Sequence, residues 1–89
     1  MADRRSGKPT MLALGFANRI RKLRESRGLT QKDLATRVGI EIVQISRYER
    51  GQYLPNAETL VALARVLQVD LDLLLLGEGE QLAGLVHGG

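Results

Sequence analysis

The chain of 89 residues has no cysteine and no tryptophan, and its aromatics amount to one phenylalanine and two tyrosines. Without cysteine there is no disulfide framework and no thiolate metal site. Its one histidine, His87, lies in a glycine-flanked stretch near the carboxyl end, so Cys/His/Ser chemistry and metal ligation lack their side chains. Aromatics at 3% exclude a sheet platform on which bases stack. No apolar run approaches the roughly 20 residues of a membrane span. The short run Met11–Ala17 follows a basic start, but Arg19, Arg21, Lys22 and Arg24 come at once and no small-residue cleavage site appears. These absences predict no enzyme, no cofactor, no metal and no membrane contact, in a cytoplasmic binding protein.

What is present is one small domain's worth of apolar residues, 44% of the chain, with its charge unevenly spread. Residues 1–54 carry twelve basic side chains against five acidic ones, a net of +7. Residues 55–89 carry only Arg65 against five acids, a net of −4. That segregation suits a polyanion at the basic end, although a solvated surface segregates in the same way.

Apolar spacing predicts five short helices and no strand. Residues 1–10, with Arg4, Arg5 and Lys8, read as a flexible basic arm. From about Leu12 the stripe Leu12, Phe16, Ile20, Leu23 has helical spacing and ends at Gly28. Thr30-Gln31-Lys32-Asp33 is a capping box opening a second helix, which turns Leu34, Ala35 and Val38 inward and stops at Gly39. A third helix spans 42–50 and is closed by Gly51. Asn56 is an N-cap for a fourth, with Leu60, Leu63, Ala64 and Leu67 as its stripe. Asp70 can cap a last helix, 71–76, ended by Gly77. The expected division is the arm, an all-α domain over 11–77, and a glycine-rich tail over 78–89.

The second and third helices are joined by Val38-Gly39-Ile40-Glu41. A glycine able to turn left-handed, a small inward Ala35 and an anchoring Ile45 allow a close, sharp crossing that pushes the trailing helix outward. The residues around this turn are more specific. Gly28-Leu29-Thr30-Gln31-Lys32-Asp33-Leu34-Ala35, Ile45-Ser46-Arg47-Tyr48-Glu49-Arg50-Gly51 and Pro55-Asn56-Ala57-Glu58-Thr59-Leu60 closely resemble the Cro/repressor type of helix-turn-helix, the XRE-like family, over roughly 14–77. The resemblance implies a five-helix bundle of the lambda-repressor-like DNA-binding type, with the helix-turn-helix formed by helices 2 and 3. It also implies a dimeric transcriptional regulator of bacterial or phage kind.

At about 100° per residue, Ile45, Tyr48 and Glu49 share one side of the third helix, while Val43, Arg47 and Arg50 lie opposite, flanked by Gln44 and Ser46. Matching family positions imply that Ile42, Val43, Gln44 and Arg47 touch base edges. Arginine suits guanine and apolar methyls suit thymine. Ile42 and Val43 can instead pack beneath the protein. Phosphate contacts are expected from Gln31, Ser46, Arg50 and Gln52, and from Arg4 and Arg5 of the arm. The resemblance also implies a structural ion pair between Arg24 and Glu49. Glu41 departs from the family, which has Ser or Thr there, and is a poorer cap.

Catalysis has little to stand on, since Glu49 lacks a His or Cys partner and the carboxylates of Asp70 and Asp72 do not converge on one face. In the last helix, if Leu71, Leu74 and Leu75 pack inward, Leu73 and Leu76 remain outside as a homodimer interface. The alternative is that Leu82, Leu85 and Val86 of the tail cover them. The expected function is sequence-specific binding of double-stranded DNA at a palindromic operator, as a dimeric repressor. The alternative is an antitoxin-like protein-interaction module that grips a partner protein as well as DNA.

Overall fold

A computed structural model describes residues 10–77. It consists of α1 (Met11–Ser26), α2 (Gln31–Val38), α3 (Ile42–Glu49), α4 (Ala57–Leu67) and α5 (Leu71–Leu76), with no strand among the described residues. The fold is all-α with five helices, as the apolar spacing predicts.

Local hydrogen bonding sets most of the boundaries. Thr30 accepts from the Asp33 amide and Asp33 accepts from the Thr30 amide, both at 2.9 Å, so the capping box is complete. Asn56 caps α4 by accepting from the Thr59 amide at 2.9 Å. Gly39 ends α2 at φ 89°, ψ 32°, a left-handed conformation that costs an L side chain energy. Two caps differ from expectation. Thr10, assigned to the arm, is the N-cap of α1 and accepts from the Ala13 amide at 3.0 Å. Asp70 occupies the N-cap position of α5 but makes no side-chain capping bond. Glu41 likewise makes none at α3.

One core holds the bundle, with Phe16 and Ile20 from α1, Leu34 from α2, Ile45 from α3, Leu63 and Leu67 from α4, and Leu74 from α5, all fully buried. Each such side chain contributes about 1.5–3 kcal/mol of burial. The inward arc of α1 is Ala13, Phe16, Ala17 and Ile20, whereas Leu12 is exposed. On a wheel of about 100° per residue that arc runs from Phe16 to Ala17 with Ile20 and Ala13 in its middle, and Leu12 falls outside it beyond Phe16.

The last helix corrects a second expectation. Leu74 is fully buried and Leu75 packs against the core, but Leu71 is exposed, Leu73 is half-buried and Leu76 is exposed. Leu71 is the first residue of a six-residue helix and lies in the groove between α4 and α5, lined also by Val61, Val69 and Leu73. A charged side chain holds this helix in place. Arg19 of α1 donates Nε to the Leu74 carbonyl at 2.8 Å and a guanidinium nitrogen to the Leu75 carbonyl, satisfying carbonyls that the end of α5 leaves free.

Candidate nucleic-acid interface

α3 presents two unlike faces. Ile45, Tyr48 and Glu49 are buried against the bundle, while Ile42 and Val43 are 47% and 45% exposed at its amino end. Neither apolar side chain packs beneath the protein. Arg47 and Arg50 are exposed farther along the same outward face, and Gln44 and Ser46 are half-buried at its flanks.

The outward side chains are tied to one another. Arg50 donates to the Ser46 hydroxyl at 2.5 Å, so these two expected phosphate ligands stand together. Tyr53, from the loop after α3, donates its hydroxyl to Oε1 of Gln44 at 2.7 Å and accepts from Arg47 at 3.5 Å. Sequence reading missed Tyr53. It is a loop residue outside any apolar stripe, and its only signal is an aromatic in a chain with very few. Gln52 is exposed in the same loop, and its backbone N–H donates to the Arg47 carbonyl at 3.1 Å.

Behind this face sits a charged network joining three helices. Glu49 is buried and its carboxylate accepts from Arg24 Nε at 2.6 Å and Nη2 at 3.0 Å. Arg24 also donates Nη1 to the Leu29 carbonyl at 2.8 Å. The Glu49 hydrogen bond is the chief cause that raises the Arg24 pKa above its ordinary value, against a smaller opposing effect of burial. Gln31, at the start of α2, donates its amide to Glu49 Oε1 at 3.0 Å. Its side chain therefore points into this network as well as lying near the helix end. Arg4 and Arg5 lie outside the described residues, as do Leu82, Leu85 and Val86.

A family model described as helix-turn-helix matches residues 20–74. The chain belongs to the helix-turn-helix family. The family is one of DNA-binding transcriptional regulators and not of enzymes. In helix-turn-helix terms, α2 and α3 are the paired helices and α3 is the trailing one. An uncharacterised HTH-type transcriptional regulator of Bacillus subtilis, YqaE, is 35% identical over 66 residues, covering 74% of this chain and 57% of that protein. Multiprotein-bridging factor 1 of Eremothecium gossypii is 40% identical over 73 residues, covering 80% of this chain and 48% of that one. The chain thus spans about half the length of the curated relatives it matches. Among solved structures, the c2 repressor of phage P22 in complex with a synthetic operator superposes with a TM-score of 0.69 at 40% identity, over 71% of this chain and 96% of that one. Among the described residues no helix is long and apolar enough to cross a membrane, and no cluster of His, Asp or Glu could hold a metal ion.

Proposed function

We propose that this helix-turn-helix chain binds double-stranded DNA sequence-specifically as a homodimer, at a palindromic operator, and acts as a cytoplasmic transcriptional repressor. α3 enters the major groove, where Ile42, Val43, Gln44 and Arg47 meet base edges. Gln31, Ser46, Arg50 and Gln52 hold phosphates on either side, and Arg4 and Arg5 follow the backbone or enter the minor groove. The observation that carries this reading is the outward face of α3, where two apolar side chains stand nearly half exposed beside an exposed arginine. Thymine methyls and guanine acceptors in the major groove use both kinds of side chain. The likeness to a repressor whose structure was solved on its operator supports the same reading.

Dimerisation is assigned to α5, through Leu73 and Leu76, with exposed Leu71 and Val61 extending the surface. This leaves the basic half of the chain free for DNA. Selection of bound sites from a random duplex pool, with the mass measured in solution, tests the whole reading. A two-fold symmetric site and a dimeric mass are expected. Duplex binding without sequence preference would overturn it.

A second reading, a module that grips another protein, is favoured by the likeness to multiprotein-bridging factor 1. A partner that co-purifies at 1:1 stoichiometry and covers the α4–α5 groove would single it out.

A further inference from the structure

Tyr53 has no part in the assignments above, yet it touches two of the four side chains assigned to bases. Its ring packs edge-on against Tyr48, with centroids 5.7 Å apart and planes at 82°. Tyr48 is buried and meets Phe16 edge-on at 6.3 Å and 72°. The loop aromatic is thereby anchored, through one intermediate ring, on the centre of the core. The loop around it is also held. The Gln52 backbone N–H is tied to the Arg47 carbonyl, Pro55 is buried, and Gly51 at φ 73° sits so close to Leu14 that an added Cβ would lie 2.9 Å from its Cδ2.

The hydroxyl at the other end of this anchored ring has a single proton. It goes to Oε1 of Gln44, and the contact with Arg47 uses the hydroxyl oxygen as acceptor. A glutamine amide reads adenine bidentately by accepting from the N6 amino group and donating to N7. That requires both ends of the amide to face the base. Here the oxygen accepts the Tyr53 proton, the one arrangement that lets the hydroxyl donate while it accepts from Arg47, and the opposite end of the amide carries two donors. Guanine offers two acceptors in the major groove, N7 and O6, and no donor.

We propose that Tyr53 is a positioning residue for specificity: by holding the Gln44 amide oxygen it takes one of that oxygen's two acceptor sites and turns the NH2 group outward, so that Gln44 favours guanine over adenine. This rests on the proposed placement of α3 in the major groove. It assigns a role to a residue outside the helix-turn-helix and makes the base preference of Gln44 depend on a side chain nine positions away.

The test uses the full chain and a site selected by it, with affinities for single-base variants of that site. Gln44→Ala locates the base pair that Gln44 reads. At that pair the wild type is expected to favour guanine over adenine by about tenfold. Tyr53→Phe, which keeps the ring and removes the hydroxyl, should bring that preference close to one. It should leave random duplex and the salt slope unchanged, and any change elsewhere in the site should be confined to the pair that Arg47 reads, since Arg47 also donates to this hydroxyl. In the Gln44→Ala background Tyr53→Phe should have no further effect at that pair. Selective wild type with the same preference in Tyr53→Phe would overturn the role of Tyr53 while leaving the proposed function intact. An equal loss on all duplexes would instead make Tyr53 a phosphate ligand and overturn its positioning role. Wild type with no preference at any position would overturn both the inference and the function on which it rests.

Discussion

The side-chain amide of Gln31 and the carboxylate of Glu49 are hydrogen-bonded at 3.0 Å, joining the first residue of α2 to the last residue of α3. Sequence reading assigns the two separate tasks, phosphate binding for Gln31 and structural pairing for Glu49. In the structure they belong to one network with Arg24. A glutamine amide carries two N–H donors, so the bond to Glu49 leaves Gln31 one for a phosphate. The orientation of that donor depends on the ion pair behind it.

Glu49→Ala is therefore expected to do more than remove a pair. The side chains of Arg24 and Glu49 are only 11% and 4% exposed, and the guanidinium would be stranded. A loss of about 2–4 kcal/mol in urea-induced unfolding is expected, larger than the net contribution of the pair itself. Gln31→Ala should cost about 1 kcal/mol, the scale of one hydrogen bond. An unchanged midpoint in Glu49→Ala would discard the network as a source of stability.

The capping box makes stability pH-dependent in the acid range. Asp33 accepts from the backbone amide of Thr30, and that bond, with a smaller contribution from the Thr30 side chain, holds its carboxyl below the usual carboxylate pKa. A folded-state pKa below the unfolded one stabilises the native state above the unfolded pKa, and the stabilisation fades as pH falls through the folded value. Melting temperature should therefore drop between neutral pH and about pH 3 with a steeper slope in the wild type than in Asp33→Asn. Equal slopes would mean that the carboxylate is not linked to folding.

Arg47 and the basic arm should differ in kind. Arg47 lies on the outward face of α3, past its amino end, where a long fork suits a guanine edge. Arg47→Ala is expected to cost about 1–3 kcal/mol at the selected site and little on random duplex. Removing Arg4 and Arg5 should weaken all duplexes alike and flatten the salt slope by roughly one unit for each phosphate no longer neutralised. Titrations of both variants on selected and scrambled DNA over a salt series decide the matter. If Arg47→Ala weakens binding to both DNAs by the same factor, Arg47 is a phosphate clamp and base reading passes to Ile42, Val43 and Gln44.

The dimer assignment predicts that Leu73→Glu with Leu76→Glu gives a folded monomer, because neither side chain belongs to the buried core whereas Leu74 does. Adding Leu71→Glu should leave the fold intact as well, since Leu71 is exposed. Sedimentation at micromolar concentration checks this. A dimer that survives the triple substitution would place the interface elsewhere.

The helices, most of their ends and the family are legible in the amino-acid order alone. Thr30 with Asp33, Asn56 and Gly39 act on backbone groups within four residues, so their spacing carries the information. The outward position of Val43 and Arg47 follows from helical periodicity once Ile45 and Tyr48 are placed inward. Thr10 is legible in principle as a cap and is obscured by the basic residues before it. Other features depend on residues far apart in the chain. Arg19 reaches the carbonyls of Leu74 and Leu75 across 55 and 56 positions, and no local pattern distinguishes it from the arginines at 21 and 24. The exposure of Leu71 depends on where a six-residue helix begins relative to α1 and α4, which a stripe of leucines does not encode. The bond from Tyr53 to Gln44 needs the path of the loop after Gly51, set by its close approach to Leu14 on another helix. Short-range hydrogen bonds and periodicity are properties of a segment, whereas these long-range bonds arise only when helices cross, and the crossing is decided by the packing of the whole core.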